Sequence, residues 1–160
     1  MLNLAYLNAI SIIGPQNNFF QNFLFLTNGF NRKKNERIKC LIKVINILEK
    51  IKSELNDKMN GKPTLVENLA FGLLEIVECK KIILYEVEMQ KDKKLKIQLN
   101  NAVENLTQIK AKWEERINGK IIEKEGLVIL KTNVEECITI IAGEIKSLNP
   151  QSPISPIIGT

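Results

Sequence analysis

From Arg32 onward the apolar residues recur at three- and four-residue steps, the spacing that lines one face of an α-helix. Ile38, Leu41, Ile45, Leu48, Leu55 and Met59 predict a first long helix over about 32–60. Asn60-Gly61-Lys62-Pro63 breaks it. Thr64 and Glu67 then have the spacing of a capping box, in which each side chain satisfies a free backbone N–H of the helix start. A second helix over about 65–89 follows, on Val66, Leu69, Leu73, Val77, Leu84 and Val87. The cleanest stripe is the third: Leu95, Leu99, Ala102, Leu106, Ile109 and Trp113 alternate four- and three-residue steps, as a bundle seam requires. It predicts a helix over about 92–118 that ends at Asn118-Gly119.

No obligate breaker lies between Glu88 and Lys94, so the second and third helices could run together; the length of the fused helix argues for a turn at Gln90–Lys93 instead. Val134, Ile138, Ile141, Ile145 and Leu148 predict a fourth helix ending at Asn149-Pro150. Its start is open to two readings. Leu127 to Leu130 extend the stripe back to about 123, whereas a small hairpin over 120–131 would leave Thr132 as the cap. The longer helix, 123–148, matches the other three in length. Gly72 and Gly143 fall inside helices and are read as points of close helix packing.

Charge follows the same division. The segments 32–62, 64–90, 91–120 and 121–146 carry net +6, −3, +4 and −2. In a square up-down bundle every adjacent pair would then be opposite in sign. Individual surface pairs are weak, but the alternation disfavours setting the two basic helices side by side. The fold expected is therefore all-α, an antiparallel up-down four-helix bundle within one domain, residues 1–148.

Both ends of the chain depart from this pattern. All 41 charged residues lie between Arg32 and Lys146. Residues 1–31 hold short apolar segments interrupted by Asn8, Gly14-Pro15 and Asn17-Asn18, expected to add an N-terminal helical segment over about 2–13, and five of the six Phe residues lie between Phe19 and Phe30. No run there approaches the 18 or so apolar residues of a membrane span, and no basic n-region or small-residue cleavage pattern marks a secretory signal. Two readings of this uncharged segment stand: a cap that folds onto the bundle, or an arm that engages a membrane or a protein partner. In the second, Leu7, Ile12, Phe19, Phe20, Phe23 and Phe25 are the candidate contacts. The last segment, 149–160, has three prolines in seven residues and is expected to be extended.

The composition narrows the chemistry. There is no histidine, which removes the commonest general base and the commonest metal ligand. Glu75 and Glu78 share a helical face but have no Glu-x-x-His partner of the di-iron type. The three cysteines, Cys40, Cys79 and Cys137, are widely spaced and fit buried core thiols in a reducing, cytoplasmic setting. No phosphate-binding glycine loop is present, so no cofactor, metal, small-molecule substrate or enzymatic activity is expected. What remains is a lysine-rich pole. Arg32, Lys33, Lys34 and Arg37 at the start of the first helix would lie at the same end as Lys91, Lys93 and Lys94, where they could contact an anionic ligand. The expected function is a non-catalytic interaction module, an effector or adaptor with a membrane-engaging, partner-binding or self-associating N-terminal segment. The second reading is a small nucleic-acid-associated protein that uses the lysine pole.

Overall fold

The computed structural model describes residues 34–150. Among these the chain is all-helical, with no strand. Helix α1 spans Lys34–Met59, α2 Val66–Met89, α3 Lys93–Ile117 and α4 Lys124–Leu148. The fourth helix is the long one, and no hairpin occupies 120–131. The apolar segments of residues 1–31, with Leu7, Ile12, Phe19, Phe20, Phe23 and Phe25, lie outside the described residues, as do Arg32, Lys33 and the tail beyond Pro150.

Two glycines end helices for a backbone reason. Gly61 and Gly119 have φ of +84° and +90°, a region costly for residues with a Cβ. Each occupies the position just past the helix end in a Schellman turn. Lys62 N–H donates to the Asp57 carbonyl and Gly61 N–H to the Lys58 carbonyl, each at 3.0 Å. Lys120 and Gly119 repeat the pattern with Glu115 and Arg116, at 2.9 and 3.0 Å. The α2–α3 turn lacks glycine and is set by side chains. Asp92 caps α3 by accepting from Leu95 N–H at 3.0 Å, and Gln90 Oε1 accepts from Asp92 N–H at 3.0 Å.

The capping box expected at Thr64 does not form. Leu65 is the N-cap of α2 and gives no side-chain cap, while the Thr64 hydroxyl donates to Glu54 Oε1 at 2.7 Å. Thr64 therefore falls one residue before the N-cap, and its hydroxyl makes a charge-assisted bond to a carboxylate on α1.

Helix α2 packs most extensively on α3, and α1 on α4; α3 with α4 and α1 with α2 complete the ring of neighbours. One continuous core fills the centre, with Leu41, Ile45 and Leu48 of α1, Leu73, Ile76 and Ile83 of α2, Leu99, Leu106, Ile109 and Trp113 of α3, and Val134, Ile141 and Ile145 of α4 all buried. The α2 stripe matches the one the spacing suggested only in part: Leu69, Leu73 and Val87 are buried. Val66 and Leu84 are exposed, and Ile76, Ile82 and Ile83 take the inner positions. The reading of the two inner glycines also divides. A Cβ on Gly72 would lie 2.8 Å from Trp113 Nε1, so α2 and α3 do approach closely there, but nothing lies within 4 Å of a Cβ on Gly143, which is not a packing point.

Candidate functional site

Charged residues occupy inward stripe positions near both ends of the bundle, and each draws in partners. At the first end Arg37, one turn into α1, reaches Glu86 near the end of α2. Its Nη2 donates to Glu86 Oε1 at 2.7 Å and its Nε to Oε2 at 3.1 Å. The same Nη2 lies 3.8 Å from Oε2 of Glu144, near the end of α4. Gln90 Nε2 donates to Glu144 Oε1 at 2.6 Å, and Glu144 Oε2 has no hydrogen-bond partner. The side chains of Glu86 and Glu144 are each 1% exposed.

Two carboxylates thus share one guanidinium in a dry setting. Burial first, and then the adjacent Glu86, push the Glu144 carboxyl up to about 7, against the opposing effects of Gln90 and Arg37. The Glu86 carboxylate holds the Arg37 guanidinium above its ordinary value.

This cluster fixes what meets at that end. The start of α1, the end of α2 and the end of α4 are drawn together by it, and the α2–α3 turn follows directly from Gln90. Lys34, Lys91, Lys93 and Lys94 are exposed around it. Arg37 is different from these lysines. Its guanidinium is turned inward and held by carboxylates, so it is a structural cation in this geometry, not a surface one. The chain preceding Lys34 and the chain following Pro150 both join the bundle at this end.

At the opposite end Arg116 of α3 crosses to α1. Its Nη1 and Nη2 donate to Glu54 at 2.9 and 2.7 Å, the side-by-side geometry that suits a guanidinium and a carboxylate. The guanidinium also lies over the Trp113 ring, 4.7 Å from its centre, and Thr64 shares Glu54. Beside this group a cavity of about 190 Å³ is lined by residues of both loops at this end, Thr64 and Val66 on one side and Gly119 to Ile122 on the other.

Glu78 is buried midway along α2, where burial first and Glu75 next push its carboxyl up to about 7. The three thiols are buried and form no disulfide. Burial pushes Cys137 up to about 12 and Cys79 well above its ordinary value. Among the described residues no group of three or more Asp, Glu, Cys or His is disposed to hold a metal ion, and no helix is long and apolar enough to cross a membrane.

The buried Arg37–Glu86–Glu144 cluster was missed by reading stripes from apolar residues alone. A usable signal was there: Glu86 has Ile82, Ile83 and Met89 at helical spacing, and Glu144 has Ile140, Ile141 and Leu148, so both fall where an apolar residue would continue the stripe. No protein-family model matches the chain, and comparisons with curated proteins and with solved structures gave no significant match.

Proposed function

We propose that this chain is a non-catalytic interaction module: an antiparallel up-down bundle that presents its uncharged, Phe-rich N-terminal segment to a membrane surface or to an apolar face of a protein partner. The observation that carries the reading is the convergence at one end. The chain segments without charge, 1–31 and 147–160, both connect to the end where Lys34, Lys91, Lys93 and Lys94 are exposed. Apolar insertion and lysine attraction to anionic headgroups would act from the same side, which is the combination that gives stable peripheral binding. Candidate contacts remain Leu7, Ile12, Phe19, Phe20, Phe23 and Phe25 for the apolar part, with Arg32, Lys33 and the four exposed lysines for the charged part.

Flotation with vesicles of neutral lipid, with and without anionic lipid, tests it. The full chain should float with anionic vesicles, less at high salt, and less again as Phe23→Asp. A protein that stays unbound to every vesicle, and sediments as a monomer without a partner, contradicts both forms of the proposal.

A further inference from the structure

The end of the bundle opposite the lysine-rich pole carries a second arrangement, independent of the reading above. Its cavity of about 190 Å³ is lined by Lys58, Arg116 and Lys120 and by no carboxylate. The rest of the lining is Thr64, Gly119 and the apolar side chains of Val66, Leu69, Ile121, Ile122 and Leu127. Of the lining residues Ile121 is 81% exposed, and Leu65, between the lining residues Thr64 and Val66 in sequence, is 65% exposed.

The cations have partners that leave them capacity. Arg116 spends two of its five N–H donors on Glu54. Lys120 Nζ lies 3.3 Å from Glu115 Oε1, and its side chain is 64% exposed, so it can turn towards the cavity without loss of packing. Lys58 is exposed. Both helices that begin at this end, α2 and α4, start without a side-chain cap, whereas α3, which begins at the other end, is capped by Asp92.

We propose that this cavity binds a small amphiphilic anion, a carboxylate or phosphate head on a single aliphatic chain, and the cavity's size favours a free carboxylate over a membrane lipid. The head would be met by Lys58, Lys120 and Arg116, while the Thr64 hydroxyl stays committed to Glu54. The chain would lie along Val66, Leu69, Ile122 and Leu127. At roughly 30 Å³ for each water- or methylene-sized group, the volume admits about six such groups, the head and the first carbons of a single chain. Further carbons would emerge over the exposed Ile121.

Titration of the full chain with octanoate, followed by amide NMR shifts, tests the assignment. Octanoate should shift Thr64, Gly119 and Ile121 together and saturate below about 10 mM. Octanol, with the same chain and no charge, should bind at least about tenfold more weakly, and so should inorganic phosphate, which has charge and no chain. The double variant Lys58→Gln, Lys120→Gln changes exposed side chains only. It should weaken octanoate by about tenfold and leave octanol unchanged. Equal binding of octanol and octanoate, equal binding of phosphate and octanoate, or no shift at these residues overturns the proposal. Single-chain octyl phosphate should behave as octanoate does. Vesicles of anionic lipid should not shift Thr64, Gly119 and Ile121, and if they do so in place of octanoate the head group belongs to a membrane and the free-carboxylate assignment fails.

Discussion

Replacing Glu144 by Gln should make the bundle more stable at pH 8 and leave it nearly unchanged at pH 4.5. With both carboxylates ionised, the buried cluster holds two negative charges against the single guanidinium of Arg37, and Glu144 Oε2 has no donor. The Glu144 carboxyl sits at about 7 in the folded chain against an ordinary 4.5. A carboxyl whose pKa is raised by folding favours the folded state while it is protonated. That contribution is fully present below about pH 4.5 and is lost as pH rises through about 7. The gap between those two values corresponds to about 3 kcal/mol, taken as an order of magnitude.

In the Glu144→Gln variant the new amide would keep the shape, accept from Gln90 through its carbonyl, and offer Glu86 an N–H at every pH. The assay is urea denaturation of both proteins at several pH values between about 4.5 and 8. The midpoint of the parent should fall relative to the variant across about pH 4.5 to 8, by a free-energy difference approaching about 3 kcal/mol. Other groups act on both proteins alike and cancel in the difference, including Glu115, which Lys112 holds below the ordinary carboxylate range. A parent-minus-variant difference that is flat with pH, or a variant less stable than the parent at pH 8, would refute the account of a strained buried carboxylate pair.

The same reasoning applies to Glu78, where Glu78→Gln should remove a second, separate part of the alkaline loss in the same titration. Gly72→Ala should destabilise the bundle by about 1–3 kcal/mol, since its Cβ would press on Trp113 Nε1 at 2.8 Å, and the emission of the single tryptophan should change with it. Gly143→Ala should do the reverse, adding about 0.5–1 kcal/mol in thermal denaturation, because it lies inside a helix with open space beside it. Arg116→Lys should cost about 1–2 kcal/mol in urea denaturation by breaking the paired contact with Glu54 and the stack on Trp113, even though charge is kept.

Among the described residues, helix number, type and approximate ends were legible in the chain because three signals agree: apolar period, Gly-containing stops and alternating charge. The seam of α3 was read residue by residue, since polar residues flank it on both sides. The α2 stripe was not, for a physical reason. Its sequence is apolar around most of its circumference, from Leu69-Ala70-Phe71 to Ile82-Ile83-Leu84, so several rotations bury similar area and only the neighbouring helices choose among them. Thr64 misled because the capping spacing is a local pattern, while its partner, Glu54, is brought by the turn between helices. Arg37 was read as a surface cation from its place in a basic run. Whether such a residue faces in or out depends on Glu86 and Glu144, which are remote from it in sequence and reach it only once α2 and α4 are in place.

The three thiols give the molecule a built-in stopwatch. Cys40, Cys79 and Cys137 sit on α1, α2 and α4, all buried. The thiolate is the form that attacks an alkylating reagent, and burial suppresses that form at Cys79 and Cys137 in the folded chain. Alkylation should therefore wait for the bundle to open, and mass spectrometry of partly labelled protein would time each helix separately. Equal rates at the three cysteines would mean that the bundle opens as one unit; a faster Cys40 would mean that α1 peels away before the rest.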